Sequence, residues 1–287
     1  MAEAAAGVDA LRRALRRADE ASSRAGVRIA ALRDVESLTL AAALFATVWG
    51  VDPASPPLAP GLLVALAHSG NYVVGAYDGN RLVAACAAFW HDPDRRALHS
   101  HIAGVLPEAA GRGIGRALKL HQAAWCAERG GDEITWTFDP LIARNAHVNV
   151  TSLGVRAVSY LPDLYGPMTD GLNVGHPTDR LLVSWDVSAV RLPRSLPAGV
   201  DGAALVVVAG VPRPRLELSG NWTTCSVAVP ADIETLRRLD RDLALQWRLA
   251  QRAALGGLLG DGWQIIGFDT SRGYILERSD ANALADH

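Results

Sequence analysis

The spacing of apolar and polar residues changes along the chain, and it predicts strands and helices in alternation. Short apolar runs rich in β-branched and aromatic residues predict strands at 27–31, 71–77, 81–90, 97–105 and 133–138. Apolar stripes predict helices from Asp34, a capping residue, to about Val48, then over 61–68, then after a glycine-rich loop to about Arg129. The order β-α-α-β-β-β-α-β predicts a mixed α/β sheet with helices on both faces.

Beyond residue 138 the pattern predicts a smaller second group of elements. A helix is predicted over 143–153, and strands are predicted at 155–160, 181–187, 203–208, 225–229, 263–268 and 274–277. A long helix is predicted from Asp232 to about Leu255, and a linker near 193–197. We therefore expect an appended N-terminal helix over 1–25, an α/β domain over 26–190 and a C-terminal α/β subdomain over 200–287.

Composition excludes several classes of protein. The 287 residues carry a formal net charge of −2, which argues against a broad nucleic-acid-binding surface. The three cysteines are far apart and lack metal-ligand spacing, so we expect no metal, no disulfide framework and a reducing cytoplasm. No apolar stretch reaches the roughly 18 residues of a membrane span, so we expect no membrane partner.

The most informative segment is a glycine-rich loop between a predicted strand and a predicted helix. It contains Gly111, Gly113 and Gly115 in alternation after the strand that ends near Val105. Glycine permits positive φ and close approach to an anion, and a helix N-terminus offers free N–H groups. The dinucleotide-binding fingerprint fails because Arg116 occupies the position of its third glycine after Gly111 and Gly113, and no Gly-Lys-Ser/Thr of a Walker loop is present. The segment predicts a site for a phosphate or pyrophosphate, against the alternative of a purely structural turn.

This segment resembles the GNAT acyltransferase superfamily, whose motif is a Val-x-Pro strand end followed by Arg/Gln-x-x-Gly-x-Gly/Ala. Four residues match that motif: Val105, Pro107, Gly113 and Gly115. Ala110 occupies the position of the usual Arg or Gln, and Arg112 is the candidate substitute. Leu153-Gly154-Val155 resembles the family's Leu-Gly-Phe, but Val150 replaces the tyrosine that many members use as general acid.

Further residues resemble a less-studied GNAT subgroup with an extra C-terminal region. They are Asp139-Pro140-Leu141, Arg144-Asn145-Ala146, Asn149, Tyr165-Gly166, Asp170-Gly171-Leu172-Asn173, Asp179-Arg180 and Gln246-Trp247-Arg248. The resemblance implies the GNAT fold, with acetyl-CoA or another acyl-CoA as cosubstrate. It also implies that central strands splay apart, that pantetheine binds along Ile102, Ala103, Gly104 and Val105, and that pyrophosphate binds at Arg112, Gly113, Ile114 and Gly115.

Catalytic candidates follow from the chemistry of acyl transfer, which needs a base for the amine and a donor for the oxyanion. Asp139 ends its strand and is predicted to be a base, to bind an ammonium group, or to cap the turn into Pro140. His101 shares a strand face with His99 and is the next base candidate, unless the pair only decorates a half-buried sheet. Tyr160 and Tyr165 are the candidates for the missing general acid, and Tyr165 is the one assigned to the site.

The acceptor contacts predicted from the sequence are Arg144, Asn145, Asn173 and Arg180. Arg144 suits a carboxylate through bidentate pairing, or it is an exposed arginine in a first helical turn. Together these features predict an acyl-CoA-dependent N-acyltransferase that acts on a small-molecule amine such as an amino acid. The alternative is an inactive acyl-CoA-binding module that acts as a sensor. The apolar stripe of the C-terminal helix leaves a homodimer possible, although such a stripe is more often local core.

Overall fold

The computed structural model describes residues 2–166, 176–187, 195–208 and 212–278, with side chains from residue 7 onward. Contacts divide these residues into two compact units. The first contains residues 2–136 and 185–187, and the second contains 137–166, 176–184, 195–208 and 212–278. The division into domains at 1–25, 26–190 and 200–287 stays a prediction.

The first unit contains four helices and five strands. The helices are α1 (Ala2–Ala25), α2 (Val35–Trp49), α3 (Pro60–His68) and α4 (Ile114–Glu128). The strands are β1 (Arg28–Ala31), β2 (Tyr72–Asp78), β3 (Arg81–Trp90), β4 (Ala97–Val105) and β5 (Glu133–Phe138), whose last two residues belong to the second unit. Each matches a predicted element to within a few residues, because the apolar spacing and the caps agree. Asp34 caps α2 by accepting a hydrogen bond from the backbone N–H of Ser37 at 2.8 Å.

The strands of the first unit form a mixed sheet. β1, β2, β3 and β4 pair in sequence order and antiparallel, and β5 joins β4 in parallel orientation. Asp78 and Gly79 lie at the β2–β3 hairpin, where Gly79 has φ 57°. The predicted fold class, an α/β fold with a mixed sheet and a C-terminal extension, is confirmed.

Helices cover both faces of this sheet. On one face, α2 and α3 bury a cluster that includes Phe45, Leu63 and Ile102. On the other face, α4 buries Ile114, Leu118 and Ala124, and α1 packs along α4 through Ala18, Ala21 and Ala25. The appended helix is thus part of the packed unit rather than a detached arm.

The second unit begins with the short helix α5 (Ala143–Ala146), which continues as a π-helical turn over His147–Leu153. β6 (Arg156–Leu161) pairs antiparallel with β7 (Arg180–Asp186). A five-stranded sheet follows, in the order β11-β12-β10-β8-β9. Its strands are β8 (Gly202–Val207), β9 (Pro214–Leu216), β10 (Thr224–Val227), β11 (Trp263–Asp269) and β12 (Gly273–Arg278). The three-residue β9 was not predicted, because a short edge strand that starts with proline has no apolar alternation.

The predicted continuous helix from Asp232 to Leu255 is wrong. The structure has α6 (Ile233–Leu239), α7 (Arg241–Gln251), a π-helical turn over Arg252–Gly256 and α8 (Gly257–Gly260). The chain leaves helical geometry at Asp240, with φ −147° and ψ 87°, and the Asp240 side chain caps α7 by accepting from Leu243 N–H at 2.9 Å. A good capping residue inside an apolar stripe thus starts a new helix.

In the described part of the chain, no helix combines the length and the apolar character needed to cross a membrane. Cys86, Cys126 and Cys225 are free and buried.

The side chain of Lys119 in α4, the only lysine in the chain, is buried. Its Nζ lies 2.7 Å from the Ser100 hydroxyl and 3.8 Å from the centre of the Trp136 ring.

Burial lowers the pKa of Lys119 from 10.5 to about 8. Between pH 8 and 10.5 the unfolded chain therefore holds a proton on Lys119 that the folded chain has released, so the contribution of Lys119 to stability rises with pH in this window. We predict that Lys119→Met raises the free energy of unfolding at pH 7, by up to about 3 kcal/mol, and removes that rise. Urea unfolding from pH 7 to 10.5 measures both effects.

The control is Gln122→Met, a change of another buried polar side chain one turn further along α4. It leaves Lys119 in place, so it should retain the rise in stability that Lys119 contributes between pH 8 and 10.5. A Lys119→Met variant with the same pH dependence as the wild type contradicts the assignment of the shifted group.

Candidate functional site

The parallel pairing between β4 and β5 is short. It joins Ala97 to Glu133, Leu98 to Ile134 and His99 to Thr135, and within the described chain the recorded pairing goes no further. β4 continues for six residues to Val105, paired only to β3 on its other side. The edge of β4 from Ser100 to Val105 therefore faces away from a strand partner. This is the splay that the resemblance implies, and it holds the predicted pantetheine contacts Ile102, Ala103, Gly104 and Val105.

A β-bulge lies at the point where the two strands separate. Ile102 pairs with Ala87 whereas Ser100 pairs with Ala88, so His101 is an extra residue in β4. Bulges commonly re-aim a side chain next to an active site. The His101 side chain is exposed, although desolvation by the surrounding protein still lowers its pKa.

Three histidines lie together on this face of the sheet. The rings of His99 and His101 are 6.3 Å apart, and both contact the ring of Phe89. His91 and His99 share the hydroxyl of Thr135, at 2.8 and 3.2 Å. Burial, then the charges of the other two histidines, lowers the pKa of His99 to about 4. These imidazoles are therefore neutral near pH 7, as a proton acceptor must be.

The glycine loop leads from β4 into α4. Gly111 and Gly113 have φ of 80° and 82°, and a Cβ built at either one meets no atom within 4 Å. Gly113 is the N-cap of α4, and Ile114 and Gly115 open the helix. The first N–H groups of a helix have no intrahelical acceptor and carry a partial positive charge of about +0.5. An open loop followed by such a helix start suits an anion.

The side chain of Arg112 is directed elsewhere. Its guanidinium donates to Asp78 Oδ2 at 2.6 Å and to the carbonyls of Ala25 and Gly26 at 3.1 and 3.3 Å. The structure therefore does not support Arg112 as a side-chain substitute for the usual Arg or Gln at Ala110. What remains of that prediction is a contact through the Arg112 backbone.

In the second unit, the carboxyl end of β5 leads into a buried charge cluster around Asp139. Arg248 of α7 donates two hydrogen bonds to the Asp139 carboxylate, at 2.9 and 2.7 Å. Arg237 of α6 donates a third, and Arg180 of β7 lies 3.9 Å away. The same carboxylate accepts from the N–H of Leu141 at 3.0 Å, which is the predicted cap of the turn into Pro140. We name these four residues, Asp139, Arg180, Arg237 and Arg248, the Asp139 cluster.

The surroundings of Asp139 disfavour the role of general base. Burial alone raises the pKa of this carboxyl, but the charges of Arg248 and Arg237 outweigh burial and hold the pKa well below its usual range. A carboxylate so stabilised is a weak proton acceptor. Its role in catalysis stays a prediction, and its contacts are those of an electrostatic anchor.

A second buried carboxylate lies in the same unit. Asp179 accepts from Arg252 at 2.9 and 2.6 Å and from the hydroxyl of Tyr160 at 2.7 Å. Burial raises the pKa of Tyr160, so this tyrosine is a poor proton donor. Tyr165 differs, because its side chain is exposed and its hydroxyl lies 3.2 Å from Thr137 Oγ1 on β5.

The predicted acceptor contacts differ in their burial and in their partners. Arg180 is buried, with its guanidinium 5.4 Å from the centre of the Tyr165 ring. Arg144 is exposed, and its guanidinium forms a bidentate pair with Glu234. An acceptor carboxylate would have to displace Glu234 from Arg144. Asn145 is half-buried in α5, and Asn173 lies outside the described residues. The structure thus brings together Asp139, Arg180 and Tyr165 of the predicted set.

A comparison with protein-family models finds a match over the part of the chain that contains this geometry. Residues 9–141, just under half of the chain, match the family model "Acetyltransferase (GNAT) domain". This part of the chain is similar to GNAT acetyltransferases. The matched residues include the splayed part of β4, the glycine loop and α4, which are the parts that carried the resemblance in the sequence. The enzyme class, a GNAT-type acyltransferase, is confirmed.

Solved GNAT structures are similar to this chain at low sequence identity. The ribosomal-protein-S18-alanine N-acetyltransferase from Escherichia coli is 15% identical, covers 59% of this chain and 99% of its own, and has a TM-score of 0.45. YncA from Salmonella typhimurium, with its cofactor acetyl-CoA, is 16% identical with the same coverages and TM-score. Arabidopsis thaliana Naa50, in complex with the bisubstrate analogue CoA-Ac-MVNAL, is 20% identical, covers 55% and 97%, and has a TM-score of 0.45. A search of curated proteins finds no match.

The sequence indicated some partners of Asp139 but not their role. Asp179-Arg180 and Gln246-Trp247-Arg248 were recognised as subgroup motifs, but nothing in their spacing showed that Arg180 and Arg248 meet Asp139. Arg237 gave no signal beyond its place in an amphipathic helix. His176 is buried near the charges of Arg237 and Arg248, and neither of its ring nitrogens has a hydrogen-bond partner in the described structure.

The Asp139 cluster gives a prediction about this protein's stability. Asp139→Asn removes the counter-charge of buried arginines, and breaking a buried ion pair from one side costs about 3–5 kcal/mol. We expect a loss of that order in urea unfolding at pH 7. Because the pKa of Asp139 is depressed in the folded state, this contribution is complete above about pH 4 and is lost as the pH falls further.

Asp232→Asn is the matched control, since Asp232 is an exposed cap that accepts from Thr235 N–H at 2.9 Å. Asparagine caps nearly as well, so this variant should lose less than about 1 kcal/mol. If Asp139→Asn instead unfolds like the wild type while turnover collapses, Asp139 is a catalytic group and the anchor role is wrong.

Proposed function

We propose that this protein is an acyl-CoA-dependent N-acyltransferase that transfers an acyl group to the amine of a small molecule. The observation that carries the proposal is the unpaired edge of β4 next to an open glycine loop, inside a GNAT domain. An extended chain with amide groups can pair along that edge as a strand would. A pyrophosphate can bind at the loop and helix start that follow it.

The donor site consists mainly of backbone groups. Ile102–Val105 offer N–H and C=O groups for the pantetheine amides, and Gly113, Ile114 and Gly115 offer N–H groups for the pyrophosphate. Gly104 also lets α2 approach, because a Cβ there would lie 3.1 Å from Trp49 and 3.3 Å from Phe45. This close packing fixes the edge of β4 before any donor binds.

His101 is the proposed general base. Its imidazole is neutral, exposed and bulged out of β4 beside the proposed pantetheine contacts. It takes a proton from the acceptor ammonium, and the free amine nitrogen then attacks the thioester carbonyl. The new C–N bond forms and the C–S bond breaks, the nitrogen releases its second proton to solvent, and the departing thiolate takes up a proton. The donor of that proton stays a prediction, with Tyr165 as its candidate, since Val150 stands in the position of the family's usual tyrosine.

The acceptor is proposed to be a small amine such as an amino acid, and the acyl group acetyl or a longer one. The near-neutral net charge of −2 supports a small acceptor over a strongly charged polymer. A reducing cytoplasm and a homodimer stay predictions. The competing function, an inactive acyl-CoA sensor, shares the donor site and lacks turnover, so release of free CoA in the presence of amines separates the two.

We predict that acetyl-CoA and CoA raise the thermal midpoint, whereas NAD does not. A ligand that binds only the folded state stabilises it by about 2.7 kcal/mol at a hundredfold excess over Kd. Gly113→Asp should abolish this shift, because its carboxylate enters the open space at the helix start and repels the pyrophosphate. Differential scanning fluorimetry with each ligand measures the effect.

The control for Gly113→Asp is Gly262→Asp, a change at a glycine of φ 84° with equally open surroundings, in the second unit. Both variants carry the same backbone strain and the same added charge, so only a ligand effect separates them. Undiminished acetyl-CoA binding by Gly113→Asp shows that the glycine loop is not the pyrophosphate site.

We predict that His101→Gln lowers kcat/KM by about 10²–10⁴-fold, the usual contribution of a general base. Because the pKa of His101 is lowered, the acidic limb of the wild-type pH profile of kcat/KM should lie below about 6.5. Acetyl-CoA binding should be unchanged in the variant. The profile is measured with an acceptor found by screening amines with acyl-CoA donors and mass detection.

His99→Gln serves as the comparison, since it removes the neighbouring imidazole that is already bonded to Thr135. His99→Gln should lose far less activity than His101→Gln, and its pH profile of kcat/KM should keep the acidic limb of the wild type. If the two variants behave alike, or if His101→Gln retains the wild-type profile, the base lies elsewhere.

A further inference from the structure

The end of helix α1 lies beside the start of α4. The Arg112 guanidinium, just before α4, donates to the carbonyls of Ala25 and Gly26, where α1 ends. The alanines of α1 that face inward keep the two helices close. The appended helix therefore has its last turns next to the glycine loop and the first turn of α4.

Arginines from both helices lie near enough to this junction for their charges to interact. Arg17 and Arg24 are seven residues apart, so they share one face of α1, and Arg116 lies in the first turn of α4. Arg17 and Arg116 are both half-buried. Burial, followed by the charges of Arg17 and Arg24, lowers the pKa of Arg116. We name Arg17, Arg24 and Arg116 the α1–α4 basic cluster.

The cluster has few counter-charges. Arg24 pairs with Glu20 at 3.2 Å. Across the described residues, no ion pair is recorded for Arg17 or Arg116. Arg112, the next arginine toward the loop, is neutralised by Asp78. Two half-buried arginines without a carboxylate repel each other, and this arrangement costs free energy unless an anion joins them.

The position of the cluster indicates which anion fits. Arg116 follows Gly115 directly, so the cluster lies next to the loop proposed for the pyrophosphate. Coenzyme A carries, besides its pyrophosphate, a phosphate monoester on the 3′-oxygen of its ribose, with a charge near −2. Arginine binds phosphate through charge-assisted, bidentate hydrogen bonds.

We propose that Arg17 of α1 and Arg116 of α4 bind the ribose 3′-phosphate of the acyl-CoA donor. This inference rests on the proposed function, and it makes the appended helix part of the donor site. Arg24 adds positive charge and is held by Glu20. The site selects phosphorylated coenzyme A over its 3′-dephospho form.

The experiment compares acetyl-CoA with 3′-dephospho-acetyl-CoA by isothermal titration calorimetry. Hydrogen bonds to charged groups contribute about 1.5–3 kcal/mol, so the wild type should bind acetyl-CoA about 10–100-fold more tightly. Arg17→Gln and Arg116→Gln should each weaken acetyl-CoA and leave the dephospho form unchanged, so that the affinity ratio falls towards one. Without ligand, Arg116→Gln should melt no earlier than the wild type, because it removes a repulsion.

Arg16→Gln is the control, an equal loss of charge at an exposed, neighbouring position of α1. It should retain the wild-type affinity ratio. Equal binding of both donors by the wild type overturns the 3′-phosphate site and leaves the proposed function intact. An affinity ratio that is unchanged in Arg17→Gln and Arg116→Gln has the same consequence. A ratio that falls equally in Arg16→Gln shows general attraction by positive charge and also overturns the site. Failure of the wild type to bind either donor overturns the proposed function itself.

Discussion

The parallel pairing of β4 with β5 is the constraint on which the first unit depends. Parallel neighbours need a crossover, and α4 supplies it. The crossover places the N-terminus of α4 shortly after the carboxyl end of β4, so free helical N–H groups follow the strand within a few residues. Because the pairing with β5 stops at His99, the end of β4 has no recorded strand partner on that edge in the described chain, although its other edge pairs with β3. Chain topology, rather than any one side chain, therefore exposes the backbone groups of the proposed donor site.

In the second unit, one carboxylate organises several elements. Asp139 follows β5, and its partners come from β7, α6 and α7. The carbonyl of the next residue, Pro140, accepts from Gln251 and from Tyr274 of β12. The C-terminal residues thus fix the backbone just beyond β5. The Asp139 side chain is held by its ion pairs with the arginines. Because these ion pairs keep the carboxylate charged, Asp139 is better suited to positioning the end of β5 than to exchanging protons.

The sequence predicted the elements of the first unit because their signals are local. Asp34 caps a helix, Asp78-Gly79 turns a hairpin, and the glycines before Ile114 start a helix, all within a few residues. The glycine loop was predicted for the same reason. The meeting of Asp139 with Arg237 and Arg248 was not predicted, because it joins residues about 100 positions apart. The end of one helix and the start of the next at Asp240 were also not predicted. A capping residue and a continuous apolar stripe give conflicting signals there, and the stripe alone predicts one long helix.

The bulge at His101 resolves a conflict between the two faces of β4. Ile102 belongs to the apolar cluster under α2 and α3, whereas Ser100 accepts the hydrogen bond of Lys119 from α4 on the other face. In a regular strand these residues, two apart, would share one face. Either Ser100 would enter the apolar cluster or Ile102 would meet the buried lysine. One extra residue lets both side chains reach their own face. That residue is His101, and because it is not needed for pairing or for the core, it is free to be an exposed imidazole at the point where the strands separate.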